Sequence, residues 1–288
     1  MTPGSPQRWC TTRVTERFSL WNLPGSQHYQ FVVTVAADDV PELSLGSVRR
    51  ILYQRSGRTD IRLHDLRWIS LHRINVRMVD RFRVGRVFLA GDAAHVHSSA
   101  SGQGLNTSVQ DAYNLGWKLA AVLGGAPARL LDSYEAERLP VAAHVLGVST
   151  AMHMRNFRPA TGPAPAIHQL DVTYRGGPLA VDDRADPGRL RAGDRAPDAI
   201  VDGTRLFDVF RGPHFTLLTF GDGPKPELGA GIRVQRATTS SAYDMDDGTF
   251  VLVRPDGYVG VISDSADTVR GYLEFSRCAT GRARASGW

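Results

Sequence analysis

Gly85-Arg86-Val87-Phe88-Leu89-Ala90-Gly91-Asp92-Ala93-Ala94-His95, with its sequel Gly102-Gln103-Gly104-Leu105-Asn106-Thr107, decides how this chain is read. Val87 to Ala90 is a short apolar run bounded by turn residues, the pattern of a buried strand. Gly91 permits a sharp turn where a side chain would obstruct the backbone. Asp92 then stands at the carboxyl end of that strand, where α/β folds place ligand crevices, and a carboxylate there accepts hydrogen bonds from hydroxyls. Ser98 to Asn106 is a second turn-rich segment leading into a helical pattern from about Thr107 to Leu123. Glycines at 102 and 104 let a ligand approach the bare backbone, and the amides of the first helical turn lack internal partners. One carboxylate for sugar-like hydroxyls and one electropositive helix start for an electron-rich carbonyl form a pairing that suits a flavin nucleotide.

The rest of the composition bounds the class. A length of 288 residues allows about two globular domains. The two cysteines, Cys10 and Cys278, have no close metal spacing and suggest no disulfide framework, so a reducing, cytoplasmic setting is expected. No apolar run approaches the roughly 18 residues of a membrane span, and Met1 to Gln7 does not read as a signal peptide. The formal charge of +5 comes almost wholly from arginine, since Lys118 and Lys225 are the only lysines. That charge is scattered among acids, which describes a solvated surface better than a nucleic-acid footprint.

Along the chain, residues 12–22 and 28–36 read as strands joined at Pro24-Gly25, a hairpin. Leu43 to Tyr53 has helical spacing, and Ile61 to Val79 alternates through Ile69, Leu71, Ile74, Val76 and Val79 as a further extended run. Gly124-Gly125 stops the helix that follows the motif. Leu130 to about Asn156 is helical again, with Pro140 expected to kink or divide it, and with Glu137 and Arg138 expected as surface or interhelix ion-pair groups. Residues 157–197 have a linker's composition with room for a short hairpin. Arg205 to Phe210, Phe215 to Phe220 and Phe250 to Val253 are strand candidates. Asp256-Gly257 marks a hairpin to Tyr258–Ile262, and Ala266 to Phe275 is helical.

The two glycine-bounded stretches, followed by Asp111-Ala112-Tyr113-Asn114-Leu115-Gly116-Trp117-Lys118-Leu119, strongly resemble the flavin-dependent aromatic hydroxylases of the para-hydroxybenzoate hydroxylase superfamily, in particular the branch acting on phenols, aromatic polyketides and rifamycin-like compounds. The resemblance implies that Gly91, Asp92, Ala93, Gln103, Gly104, Leu105 and Asn106 bind FAD. Asp92 would bond the ribityl chain, and the amides of Gly104, Leu105 and Asn106 would face the pyrimidine edge of the flavin. It also implies NADPH or NADH as a transient reductant and a small aromatic substrate. The fold implied is α/β: a truncated FAD-binding domain with part of a mixed substrate-binding sheet, long helices, and a carboxyl-terminal thioredoxin-like α/β domain. The corresponding division is 1–84 for the sheet part, 85–156 for the FAD motif and following helices, 157–195 for the linker and 196–288 for the thioredoxin-like unit. Trp21, Phe31, Trp68 and Arg77 are candidate walls of an aromatic pocket, each with ordinary sheet packing as the plainer alternative.

The chain departs from that family's pattern at several points. The Gly-x-Gly-x-x-Gly turn for the FAD pyrophosphate and the middle Asp-Gly motif are absent, so the chain looks like the carboxyl-terminal half of a hydroxylase. Within the motif, Ser99, Ser101, Leu105 and Ser108 stand where the family usually carries proline, glycine, methionine and glycine. No side chain is assigned as a catalytic acid or base. His95 and His97 share a strand face with Asp92 nearby, but no further ligand is placed, so no metal is expected. No nucleophile elbow supports a hydrolase, and without Cys-x-x-Cys no dithiol chemistry follows from a thioredoxin-like fold. The alternative is a noncatalytic fragment, or a partner-binding subunit that needs a separate amino-terminal half. A homodimer through the carboxyl-terminal domain is the other partner considered, and neither nucleic acid nor membrane is expected.

Overall fold

The structure is a computed structural model and describes residues 18–36, 39–73, 75–98, 102–154, 169–201, 203–223, 226–229, 231–237 and 242–276. They belong to two units, residues 1–73 and 74–288.

In the first unit, β1 (Phe18–Asn22) and β2 (Tyr29–Val33) pair antiparallel with Phe18 opposite Val33. The hairpin expected at Pro24-Gly25 is present, and Gly25 takes the positive φ of +73° that the turn requires. Residues 12–17 of the expected first strand lie outside the described residues. Helix α1 (Leu45–Ser56) starts where Ser44 Oγ accepts a hydrogen bond from the Ser47 amide, and it ends at Gly57 in the left-handed conformation. The extended run expected over Ile61 to Val79 is a correction: only β3 (Arg77–Met78) is a strand. Among the described residues nothing pairs with the stretch from 61 to 76, and Trp68, Leu71 and Val76 are exposed. Alternation alone does not make a strand when no neighbour completes its hydrogen bonds.

The second unit begins with two small antiparallel pairs. β4 (Arg83–Val84) folds onto β5 (Val87–Phe88), and β3 pairs with β6 (His95–Val96) beyond a tight turn at Gly91–Ala93. Helix α2 (Gly104–Leu123) starts three residues earlier than the apolar pattern suggests and ends at Gly124. Helix α3 (Asp132–Met154) runs as one element with Pro140 inside it, so the proline does not divide it. Phe82, Leu115, Leu131, Tyr134 and Ala142 form the core between these helices and the small strands.

After α3 come β7 (Val181–Asp182), β8 (Ile200–Val201), β9 (Thr204–Arg205), α4 (Leu206–Phe210), β10 (Phe215–Phe220), β11 (Ile232–Ala237), β12 (Phe250–Val253), β13 (Val259–Ser263) and α5 (Ala266–Ser276). Five of these strands make one sheet in the order β11-β10-β12-β13-β7. β10 and β11 are parallel, β12 runs antiparallel to β10 and to β13, and β7 is parallel to β13. Val181–Asp182 lies in the stretch whose composition reads as linker, yet it forms the sheet's edge, and Tyr174, Leu179 and Leu190 around it are buried. Residues 155–168 of that stretch lie outside the described residues. The strand expected over Arg205 to Phe210 is also corrected. Beyond Arg205 the chain is helical, because Leu206, Val209 and Phe210 are the buried side chains, and a spacing of three and four is a helix face.

Both faces of the large sheet are buried, which suits the unbroken apolar reading of β10, all six of whose residues are buried. One face packs Leu218, Phe220, Val251, Val253 and Ile262 against Leu206, Phe210 and Tyr243. The other packs Leu217, Leu252 and Val261 against Val269, Tyr272 and Leu273 of α5 and against Trp117 of α2. The carboxyl-terminal sheet therefore rests on the helix that follows the glycine-rich motif.

Truncating Leu252, which is fully buried between β10 and β13, to alanine is expected to destabilise the chain by about 2–5 kcal/mol in denaturant unfolding. The same change at Leu123, 78% exposed at the end of α2, should stay within about 0.5 kcal/mol.

Candidate flavin-binding site

The site is built on the turn at Gly91–Ala93 and the start of α2. Gly91 has φ +60°, and a Cβ placed on it would come within 3.0 Å of Ser108 Cβ on α2. Glycine is therefore required for two reasons, the left-handed backbone and the close approach of turn and helix. Asp92 and Ala93, next in the turn, are exposed. At α2, Gln103 precedes the first residue, no side chain among the described residues caps the helix, and no acid occupies its first turn. The amides of Gly104, Leu105 and Asn106 consequently keep their donor capacity, with the positive end of the helix dipole behind them. Leu105 and Asn106 are exposed, Gly104 is half-buried and Gln103 is buried. The structure thus brings the turn bearing Asp92 against the opening turns of α2. Ser99 and Ser101 lie outside the described residues.

Beneath this surface lies a buried polar network centred on Asp111. Its Oδ2 accepts from the Gly91 amide at 3.1 Å and meets His95 Nε2 at 2.6 Å, and its Oδ1 accepts from Arg138 Nε at 2.7 Å. Arg138 also donates to the Thr107 carbonyl at 3.2 Å and to Tyr174 Oη at 3.0 Å. Burial would raise the Asp111 carboxyl, but the His95 hydrogen bond and the Arg138 charge outweigh it and hold the group below its ordinary range. The geometry makes Asp111 an ionised pin that fixes the turn glycine from below. His97 Nε2 reaches His95 Nδ1 at 2.7 Å, and its Nδ1 is buried with no hydrogen-bond partner among the described residues.

A second network adjoins the first on α3. Arg254, just past β12, forks onto Glu137 with Nη1 donating to Oε1 at 2.6 Å and Nη2 to Oε2 at 2.9 Å. Lys118 Nζ donates to Glu137 Oε2 at 2.8 Å and to Asn114 Oδ1 at 2.7 Å, and Asp256 Oδ2 accepts from Trp117 Nε1 at 3.0 Å. Burial raises the Glu137 carboxyl, but Arg254 and Lys118 together hold it at about 2. For Lys118 burial wins, bringing its ammonium down to about 8 against the pull of Glu137. Of the two placements expected for Glu137 and Arg138, the interhelix one is found and the surface one is not, because both side chains are fully buried.

Sequence reading quoted Asp111, Asn114 and Lys118 within the family stretch but gave no role to any of them or to Arg254. The signal was present in α2: Thr107, Asp111, Asn114 and Lys118 recur at helical spacing and are all buried, while Leu105, Val109, Tyr113 and Leu123 face outward. The helix is amphipathic in the inverse sense, its polar stripe turned inward to meet α3. Of the candidate pocket walls, Trp21, Phe31 and Trp68 belong to the first unit and Arg77 to the second. The Phe31 ring lies tilted against Phe18 with ring centres 6.0 Å apart, while Trp21 and Trp68 are exposed.

The family described as FAD binding domain matches residues 13–149, and the family described as aromatic-ring hydroxylase, C-terminal, matches residues 189–282. The chain is a relative of the FAD-dependent aromatic hydroxylases. A flavin-dependent monooxygenase from Mycobacteroides abscessus is 68% identical over 262 residues, covering 91% of this chain and 55% of the relative. A rifampicin monooxygenase from Rhodococcus hoagii is 35% identical over 270 residues, covering 88% of this chain and 56% of the relative. The solved structure of an anhydrotetracycline hydroxylase from Streptomyces rimosus superposes with a TM-score of 0.69 at 31% identity, over 93% of this chain and 59% of that one. The chain thus spans a little over half the length of the relatives it matches.

In this relative of the hydroxylases, Gly91→Ala is expected to cost at least about 1–2 kcal/mol of stability, from the left-handed backbone alone, in denaturant unfolding. Glu137→Gln should cost about 3–5 kcal/mol, because it leaves Arg254 and Lys118 buried without their shared carboxylate. The pH dependence has a defined sign. The carboxyl of Glu137 is lower in the folded state than its ordinary value of 4.5, so its contribution is complete above about pH 4.5 and is lost as pH falls through about 2. Unfolding measured across that window should show a shallower acid limb in the glutamine variant.

Proposed function

We propose that this chain carries the flavin-holding part of a monooxygenase that hydroxylates an aromatic, phenolic or polyketide-like substrate using NADPH or NADH and oxygen. The observation that carries the reading is the uncapped, acid-free start of α2 lying against the turn that presents Asp92. Gly91, Asp92, Ala93, Gln103, Gly104, Leu105 and Asn106 would hold FAD. The Asp92 carboxylate would accept hydrogen bonds from the ribityl hydroxyls. The amides of Gly104, Leu105 and Asn106 would donate to the pyrimidine edge, where the helix dipole favours negative charge by about 0.3–2 kcal/mol depending on burial. FAD, when bound, supplies the oxygen chemistry. The residues fit the group: glycines leave the backbone open, the helix start has no side-chain cap among the described residues, and Asp111 fixes the turn from behind through the Gly91 amide.

The substrate class follows the names of relatives, which include rifampicin, anhydrotetracycline and pentachlorophenol monooxygenases. The thioredoxin-like reading of the carboxyl-terminal unit is supported by its parallel β10–β11 pair, the antiparallel β12–β13 hairpin beside it and the closing helix α5. No helix among the described residues is long and apolar enough to cross a membrane, and a cytoplasmic setting is the reading that the sparse cysteines support.

The chain has no Gly-x-Gly-x-x-Gly turn for the pyrophosphate. By itself it is therefore expected to bind FAD weakly but saturably, as followed by flavin fluorescence. Asp92→Ala should weaken that binding by about tenfold, the worth of a hydrogen bond to a charged group. A protein that purifies with tightly held yellow cofactor would contradict the weak-binding expectation, and FAD affinity indifferent to Asp92 would remove the site assignment.

A further inference from the structure

Helix α2 buries its polar side chains and turns an apolar face outward along its whole length. Leu105 is 77% exposed, Val109 59%, Tyr113 56% and Leu123 78%. The small residues Ala112, Gly116 and Ala120 are exposed between them, and of the exposed residues of α2 Asn106 alone has a polar side chain. At 3.6 residues per turn these positions fall within an arc of about 100°, and Leu105 to Leu123 runs about 27 Å along the axis. A stripe of that width is what a helix ordinarily turns to a core. The chain has 34 lysines and arginines and 29 acids, yet the two charged residues of α2, Asp111 and Lys118, are both buried. The exposed part of α1, by contrast, includes Arg49 and Arg50.

The middle of the stripe is open. A Cβ placed on Gly116 would meet nothing within 4 Å, and Ala112 and Ala120 stand one turn to either side, so another backbone can approach closely there. A continuous exposed apolar surface marks a place that another body covers. With no charge on the stripe, that body is held by packing and presents an apolar face of its own.

The relatives indicate which body this is. The chain spans 55% of the Mycobacteroides abscessus monooxygenase and 59% of the anhydrotetracycline hydroxylase structure, so each has a large portion with no counterpart here. The match to the FAD binding domain family, residues 13–149, includes all of α2. Leu105 heads the stripe and is also a candidate flavin contact through its amide, so whatever lies on the stripe borders the flavin. The chain itself has no Gly-x-Gly-x-x-Gly turn to hold the pyrophosphate of that flavin. We propose that the outward face of α2 is the docking surface for the portion of an aromatic hydroxylase that has no counterpart in this chain, a polypeptide that bears the pyrophosphate-binding glycine turn and packs on Val109, Gly116 and Leu123. That the docked polypeptide completes a flavin site rests on the function proposed above, whereas the covering of the stripe does not.

The test is to co-express the tagged chain with the portion of the Mycobacteroides abscessus relative that lies outside the matched 55%. The two should co-purify as a one-to-one complex by light scattering, with FAD affinity at least about tenfold above that of the chain alone. Val109→Glu and Gly116→Glu place a carboxylate on the stripe. In the free chain neither should lower the denaturation midpoint, because both positions face solvent. In the complex each should weaken association by at least about tenfold, because a buried carboxylate there has no partner. Should the added portion be insoluble, this chain is grafted into the intact relative in place of its matched part, where the two substitutions should lower the midpoint.

Four results overturn the proposal: no association of soluble partners, association or grafted-chain stability indifferent to both substitutions, loss of free-chain stability from either one, and a dimer of the free chain that they disrupt. The third would mean that the chain's own residues cover the face, and the fourth that a second copy does. Substitution-sensitive association with no gain in FAD affinity sustains the docking and removes the flavin reading, so the two failures are told apart.

Discussion

Glu137 and Arg138 are adjacent on α3, both are fully buried, and the arrangement of the second unit depends on what they hold in opposite directions. Arg138 grips Asp111, which holds the Gly91 amide and His95 beneath the candidate flavin turn. Glu137 grips Lys118 on α2 and the guanidinium of Arg254 from the carboxyl-terminal sheet. Charges taken out of water carry a desolvation penalty of several kcal/mol each, so such clusters are weak net stabilisers. Their strength is conditional: once one partner is removed, the others are left charged in a dry interior. The consequence is register. α3 can neither slide nor rotate on α2 without stranding a charge, and this sets the position of the turn that presents Asp92.

Helix α2 is the element shared by both regions. Its first turn offers the free amides, its inward stripe carries Thr107, Asp111, Asn114 and Lys118, and Trp117 packs into the core beneath the carboxyl-terminal sheet. The Trp117 indole also donates to Asp256 at the β12–β13 turn, while the Arg254 guanidinium lies 5.3 Å from the Trp117 and Tyr174 rings. One side chain thereby links apolar packing to the ion cluster. The carboxyl-terminal sheet is seated on the helix that starts at the candidate site, and its contribution is to rigidity, since no residue of that sheet reaches the turn through the contacts described.

Much of this was legible in the residues. Gly91 and the glycines at 102 and 104 announced the turn and the open helix start, because few residues tolerate a positive φ or a close backbone approach. The hairpin at Pro24-Gly25, the six-residue β10 and the Asp256-Gly257 turn were readable because local chemistry suffices for them. The extended stretch from Ile61 to Val79 misled because alternation records which side chains are apolar and says nothing of whether a neighbouring strand is available. Arg205 to Phe210 misled because a β-branched and aromatic composition masked a spacing of three and four.

By itself the sequence determined the elements and the motif: a glycine turn with an acid, an uncapped helix entrance, and a carboxyl-terminal α/β unit. These depend on φ, on local hydrogen bonding and on periodicities of two and 3.6, which neighbouring residues dictate. Only the tertiary structure decided that Asp111, Lys118, Glu137, Arg138 and Arg254 are buried and joined, and that His97 meets His95 at the end of the Asp111 network. The reason is that a charged residue on a helix reads as surface until its partner, up to 117 positions away, is known to face it in the absence of water.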